Sequence, residues 1–174
     1  ILNRLRSKPR TPKLTILILL GSLLLAGAWH RAPAPQHYEV QIGAERFVLE
    51  IAANQRTRST GLSGRESVDR NGGMIFVFPL EKMQSFYMRD CIIPIDVAFL
   101  DSSGVVTATY TMQPEALRKA GESKTAYERR LARYSSLSPA QYAIELRAGT
   151  LDRLGIEKGD PIGVDNEYLS RLAN

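Results

Sequence analysis

The chain has 174 residues, 44% of them hydrophobic, and a formal charge of +5, enough for one domain with its own core plus a tail. Five of the positive charges, Arg4, Arg6, Lys8, Arg10 and Lys13, stand together with no acid among them, and without them basic and acidic residues balance at 18 each. A near-neutral body argues against a phosphate-tracking surface, so no nucleic-acid partner is expected, and the single cysteine, Cys91, excludes an internal disulfide and a paired-cysteine redox site.

The first element is an address. After the basic stretch, residues 14–25 read LTILILLGSLLL, followed by Ala26-Gly27-Ala28. A basic start, an apolar run and small residues form the layout of a secretory signal. The apolar run through Trp29 is short for a spanning helix, which needs about 20 residues, although tilting would let it serve as an anchor. Residues 1–28 are therefore expected to be a signal peptide or membrane anchor. They would leave the domain outside the cytoplasm, periplasmic or secreted, or held at the inner membrane by residues 14–29. Residues 29–37, WHRAPAPQH, form a linker that Pro33 and Pro35 keep extended.

Residues 38–164 carry the domain. Tyr38 to Ile42 alternates apolar and polar, Gly43 to Glu45 turns, and Phe47 to Ile51 returns, giving a hairpin. Asn54 caps a short helix that Gly61 ends. Met74 to Phe78 is an apolar strand buried on both faces and closed by Pro79. Ser85 to Met88, Ile95 to Leu100 and Val105 to Met112 are further strands, the last two joined at Asp101 to Gly104. Residues 114–136 change character to a basic, helical insertion, with Tyr127, Leu131 and Tyr134 at helical spacing. Tyr142 to Leu146 is a strand, Leu151 to Leu154 a helical turn, Pro161 to Val164 a last strand, and Asp165 caps a short helix in the tail, residues 165–174. Short strands and tight turns predict a mainly β fold, a small barrel or sandwich of antiparallel strands with a few short helices.

Both histidines, His30 and His37, fall in the linker. A histidine-dependent triad or histidine metal site inside the domain is thereby excluded, and no cofactor motif is present. Carboxylates, arginines, hydroxyls and backbone remain. Those residue types bind anions or sugars, hold a hard cation, or run two-carboxylate acid–base chemistry.

Four blocks resemble one family. They are Arg58-Ser59-Thr60-Gly61-Leu62-Ser63-Gly64-Arg65, Gly73 to Phe78, Phe86 to Asp96, and Ala143 to Leu146 with Gly149. In this order they are similar to the domain of unknown function 192, also called uncharacterised protein family 0127. The resemblance implies a compact β-rich fold and, in many members, an export signal, with no agreed activity. Ser63 stands where that pattern has methionine, and Cys91 where it has threonine, which argues against an essential thiol.

The candidate ligand-binding residues follow. Arg58 and Arg65, seven apart, would share one helical face and could clamp an anion. Asp96, a carboxylate opening an apolar strand, needs a partner or a ligand, and Arg58, Arg65 or Arg89 could serve as the partner. Glu145 points opposite to Ile144 and Leu146, to solvent or into a polar mouth. Arg89 lies in a loop, and Phe86, Tyr87 and Met88 could stack on a sugar or other flat ligand. The expected function is a binding module for a small polar or anionic ligand. The alternatives are a hydrolase or lyase using Asp96 and Glu145, and a structural or partner-binding domain.

Overall fold

The computed structural model describes residues 37–173. The signal or anchor reading and most of the linker lie outside the described residues, and among those described no helix is long and apolar enough to cross a membrane.

Strands β1 (His37–Ile42) and β2 (Glu45–Ala52) form the expected hairpin, with Ile42 opposite Glu45 and Gly43 at φ +56° in the turn. His37 belongs to β1 and faces Glu50, so one histidine is part of the folded body and not of the linker. Helix α1 (Gln55–Thr60) starts as expected at Asn54, whose side chain accepts the Thr57 amide while the Thr57 hydroxyl accepts the Asn54 amide. It ends at Gly61.

The chain then returns as β3 (Met74–Lys82), parallel to β2. This departs from the all-antiparallel expectation. A long connection carrying α1 lets the chain re-enter the sheet in the same direction, which a tight turn never does. Gly73 precedes β3 at φ +146°, where a Cβ would overlap the carbonyl oxygen of Glu145. Strand β3 runs past Pro79, but its pairing is broken between Val77 and Lys82.

The remaining strands are β4 (Ser85–Phe86), β5 (Ile95–Leu100), β6 (Val106–Met112), β7 (Tyr134–Ser135) and β8 (Ala140–Arg147). Six strands form one mixed sheet in the order β1-β2-β3-β8-β5-β6, while β4 and β7 pair separately. The six-stranded sheet is open, with β1 and β6 at its edges, so it is neither a barrel nor a sandwich of two antiparallel sheets. The reason lies in the central strands. All six residues of β5 are buried, and a strand apolar on both faces needs cover on both sides.

Two apolar layers result. One holds Phe47, Leu49, Ile75, Val77, Leu100, Ile144 and Leu146, and is covered by α3 (Thr150–Leu154), Ile162 and Leu169 of α4 (Asn166–Ser170). The tail thus contributes a fully buried leucine. The other holds Leu62, Met74, Phe76, Phe78, Met88, Cys91, Val97 and Phe99. The insertion departs from its helical reading: α2 spans only Lys124–Arg130, Leu131 is already extended, and Tyr134 pairs with Phe86 in β7. Pro161 makes a single bridge to Val105 instead of opening a strand.

Candidate functional site

A pocket of about 400 Å³ opens on the second layer. Period-two alternation builds its floor and walls. Phe76 and Phe78 leave β3 on this face, and so does Glu145, because it pairs with Met74 and Val97 while Ile144 and Leu146 face the other layer. Phe86 closes the wall, edge-on to Phe76 at 4.9 Å between ring centroids. Arg58 and Ser59 enter from α1, Lys82 from the end of β3, and Arg89 and Cys91 from the loop before β5.

Glu145 is the chemical centre of the pocket. Its Oε2 is buried and has no hydrogen-bond partner. Burial pushes its carboxyl up to about 8, opposed only by a backbone hydrogen bond from Leu62. At neutral pH most of it carries a proton. A carboxyl in such a place is costly unless something pairs with it.

The basic side chains around the mouth are held from behind. Arg58 donates to the carbonyls of Ala53 and Val77. These bonds orient the guanidinium. Arg89 donates to Glu128 Oε1 at 2.9 Å and to the Ser59 carbonyl. Glu128 lies on α2, so the insertion fixes a wall of the pocket. Ser63 Oγ donates to the Arg89 carbonyl at 2.8 Å, and Gly64 N–H donates to the Asp90 carbonyl. The serine that departs from the family pattern therefore stitches two pocket loops together.

Cys91 is buried, and its Sγ donates to the Arg89 carbonyl. Burial first, then the charge of Glu145, pushes the thiol up to about 11. It is not a nucleophile in the folded state. A charged disulfide reagent at pH 8 is expected to modify the native protein about a hundredfold more slowly than the urea-unfolded chain. Equal rates would show an accessible, ionised thiol.

The structure brings Arg58, Arg89, Tyr87 and Glu145 together. It places three other candidates outside this pocket. Arg65 lies beyond the end of α1, so it shares no helical face with Arg58, and it pairs with Glu50 at 2.7 Å. Met88 is 1% exposed and belongs to the core. Asp96 points to the opposite layer, where Oδ1 accepts from the Thr111 hydroxyl at 2.7 Å and Oδ2 from the Leu151 amide at 2.9 Å. Its partners are these, not the three arginines, and it shares no cleft with Glu145. Tyr87 turns its ring toward Arg133, 4.1 Å away, and toward Arg89. Phe86, read from the sequence as a stacking candidate, lines the pocket, whereas Phe76, Phe78 and Lys82 were missed. Alternation along Met74 to Phe78 puts Phe76 and Phe78 on one face, but that this face meets Glu145 follows from the β3–β8 register.

Among the described residues no group of three or more His, Cys, Asp and Glu is placed to hold a metal ion.

Fold and site together define a small, mainly β domain, an open mixed sheet with short helices and a one-sided pocket. The chain belongs to the domain of unknown function 192 family, described as "Uncharacterized ACR", whose model matches residues 38–164. No curated protein matches it. Two solved structures are similar in fold. One is a proposed transcription regulator from Sinorhizobium meliloti 1021, with 24% identity and TM-score 0.59 over 74% of this chain and 92% of that one. The other is a protein of unknown function from Novosphingobium aromaticivorans DSM 12444, with 24% identity and TM-score 0.60 over 78% of this chain and 90% of that one.

Proposed function

We propose that this domain is a binding module for a small polar or anionic ligand, seated in the pocket between α1, β3 and Glu145. The observation that carries the reading is the buried, unpartnered Glu145 oxygen at the floor of a cavity whose mouth holds Arg58, Lys82 and Arg89. Pockets for small ligands combine apolar walls with a few placed polar groups in this way, and the volume falls in their usual range. In this reading the basic, apolar start of the chain delivers the domain to the outside of the cytoplasm, or holds it at the membrane.

The hydrolase or lyase reading loses its chemistry, because Asp96 and Glu145 stand on opposite faces of the sheet. A partner-binding role would use the exposed Leu80, Met83 and Leu137 instead, but nothing there converges as the pocket does.

Thermal unfolding of the full chain with ions, organic acids, amino compounds and sugars tests the proposal. A ligand at a hundred times its Kd stabilises the folded state by about 2.7 kcal/mol. A dose-dependent rise in Tm is expected for at least one class, weakened about tenfold in Lys82→Ala, whose exposed side chain is not needed for folding. No rise with any compound, or a rise that Lys82→Ala and Arg58→Lys leave untouched, would overturn the pocket as the site.

A further inference from the structure

The charge arrangement of the pocket narrows the ligand, given that the pocket is a binding site at all. Apart from the Leu62 amide, the donors described beside Glu145 are committed elsewhere. Ser63 and Cys91 both donate to the Arg89 carbonyl, and Arg89 itself to Glu128 and the Ser59 carbonyl. Glu145 Oε2 receives nothing. The residue beside it is a glycine, Gly61. A Cβ on Gly61, at φ +52°, would lie 3.6 Å from Oε2 and 3.3 Å from Phe76 Cζ. A buried carboxyl oxygen and an aromatic ring therefore adjoin one glycine at the pocket floor. The cations stand further out, where exposure rises: Arg58 and Arg89 are half-buried and Lys82 is exposed. An acidic floor below a basic mouth fits a ligand with both charges.

We infer that the pocket takes a small zwitterion, with a protonated amine against Glu145 and a carboxylate or similar anionic group toward Arg58, Lys82 and Arg89. The amine supplies the charge partner that the protein withholds, and the aromatic walls strengthen the ion pair by excluding water. Cys91, in the loop before β5, adds no positive charge; among the described residues the cations lining the pocket are Arg58 from α1, Lys82 and Arg89.

Calorimetric titration of the full chain at pH 7 tests this, using the ω-amino acids from glycine to 6-aminohexanoate. The matching alkanoates and alkylamines form the control series. Two buffers of different ionisation enthalpy report the protons exchanged. An ammonium seated on Glu145 ionises it, so binding is expected to release close to one proton. The best amino acid should bind at least tenfold more tightly than its alkanoate. Glu145→Gln should abolish the proton release and bring the two affinities together. If alkanoates bind as tightly as amino acids, or if amino acids bind without releasing a proton, the zwitterion is wrong while the binding module stands. If no member binds although another class raises the Tm, the zwitterion is again wrong. If nothing of any class binds, the module falls with it.

Discussion

The stability of this protein is expected to fall steadily as pH rises from 5 to 8, and Glu145→Gln to remove most of that fall. The Glu145 carboxyl is raised from its ordinary 4.5 to about 8 by burial, with no cation at hand to offset it. Between those two values the folded chain holds a proton that the unfolded chain releases. The raised group thus favours the fold fully below pH 4.5, and that contribution is lost as pH climbs through 8. Each tenfold gain in proton affinity on folding is worth about 1.4 kcal/mol, so the whole window amounts to about 5 kcal/mol. Other carboxylates push the opposite way: Glu128, held low by Arg89, and Glu122, held low by Arg130. They are the same in both proteins, so the difference between wild type and Glu145→Gln isolates the buried carboxyl. Urea unfolding at half-unit pH steps is the measurement. A wild-type curve parallel to that of the glutamine variant would mean that Glu145 is ionised and paired in the folded state.

The elements that local sequence controls are readable from it. The β1–β2 hairpin, the Asn54 cap and Gly61 stop of α1, and the Asp165 cap of α4 each depend on residues within a few positions of one another. So is the direction of Glu145, because alternation within one strand suffices to oppose it to Ile144 and Leu146. Relations between distant strands are not readable. Whether Asp96 and Glu145 share a face depends on the register of β5 against β8, in which Val97, and not Asp96, lies opposite Glu145. A one-residue change in that register would have put the two carboxylates side by side. The parallel return of β3 is hidden for the same reason, since a pattern of strands and turns does not specify which neighbours pair. The strand Met74 to Phe78 reads as buried on both faces, and that property itself argues against a small barrel, whose strands would expose one face. At Tyr134 the helical spacing is real but inert: α2 ends at Arg130, and the tyrosine packs against Tyr110 and pairs in β7.

Removing Asp96 is expected to cost more stability than any other single polar substitution in the sheet, without touching the pocket. The carboxylate is 1% exposed and binds two groups from different elements. One oxygen takes the Thr111 hydroxyl across the β5–β6 pair, and the other takes the amide of Leu151 in the first turn of α3. That helix begins at Gly149, which has no side chain to cap it. Asp96 therefore does from the neighbouring strand what an N-cap side chain does from within a helix, and its negative charge suits the helix start. Asp96→Ala leaves the buried Leu151 amide unpartnered, turns the hydroxyl of the exposed Thr111 to water and opens a small void. A buried bond to a charged acceptor is worth about 1.5–3 kcal/mol, so with the void the loss should be about 3 kcal/mol, or a drop in Tm of roughly 8–12 °C. Asp96→Asn keeps one acceptor for the Leu151 amide and can receive from or donate to Thr111, so it should lose only about 1–2 kcal/mol. Hydrogen exchange at the Leu151 amide should accelerate in the alanine variant before the β3 and β8 amides respond. Any ligand that raises the Tm of the wild type should raise that of Asp96→Asn by the same amount, because the sheet separates Asp96 from the pocket. A ligand response lost in Asp96→Asn, with stability little changed, would place the site on the α3 face and move the functional argument away from Glu145.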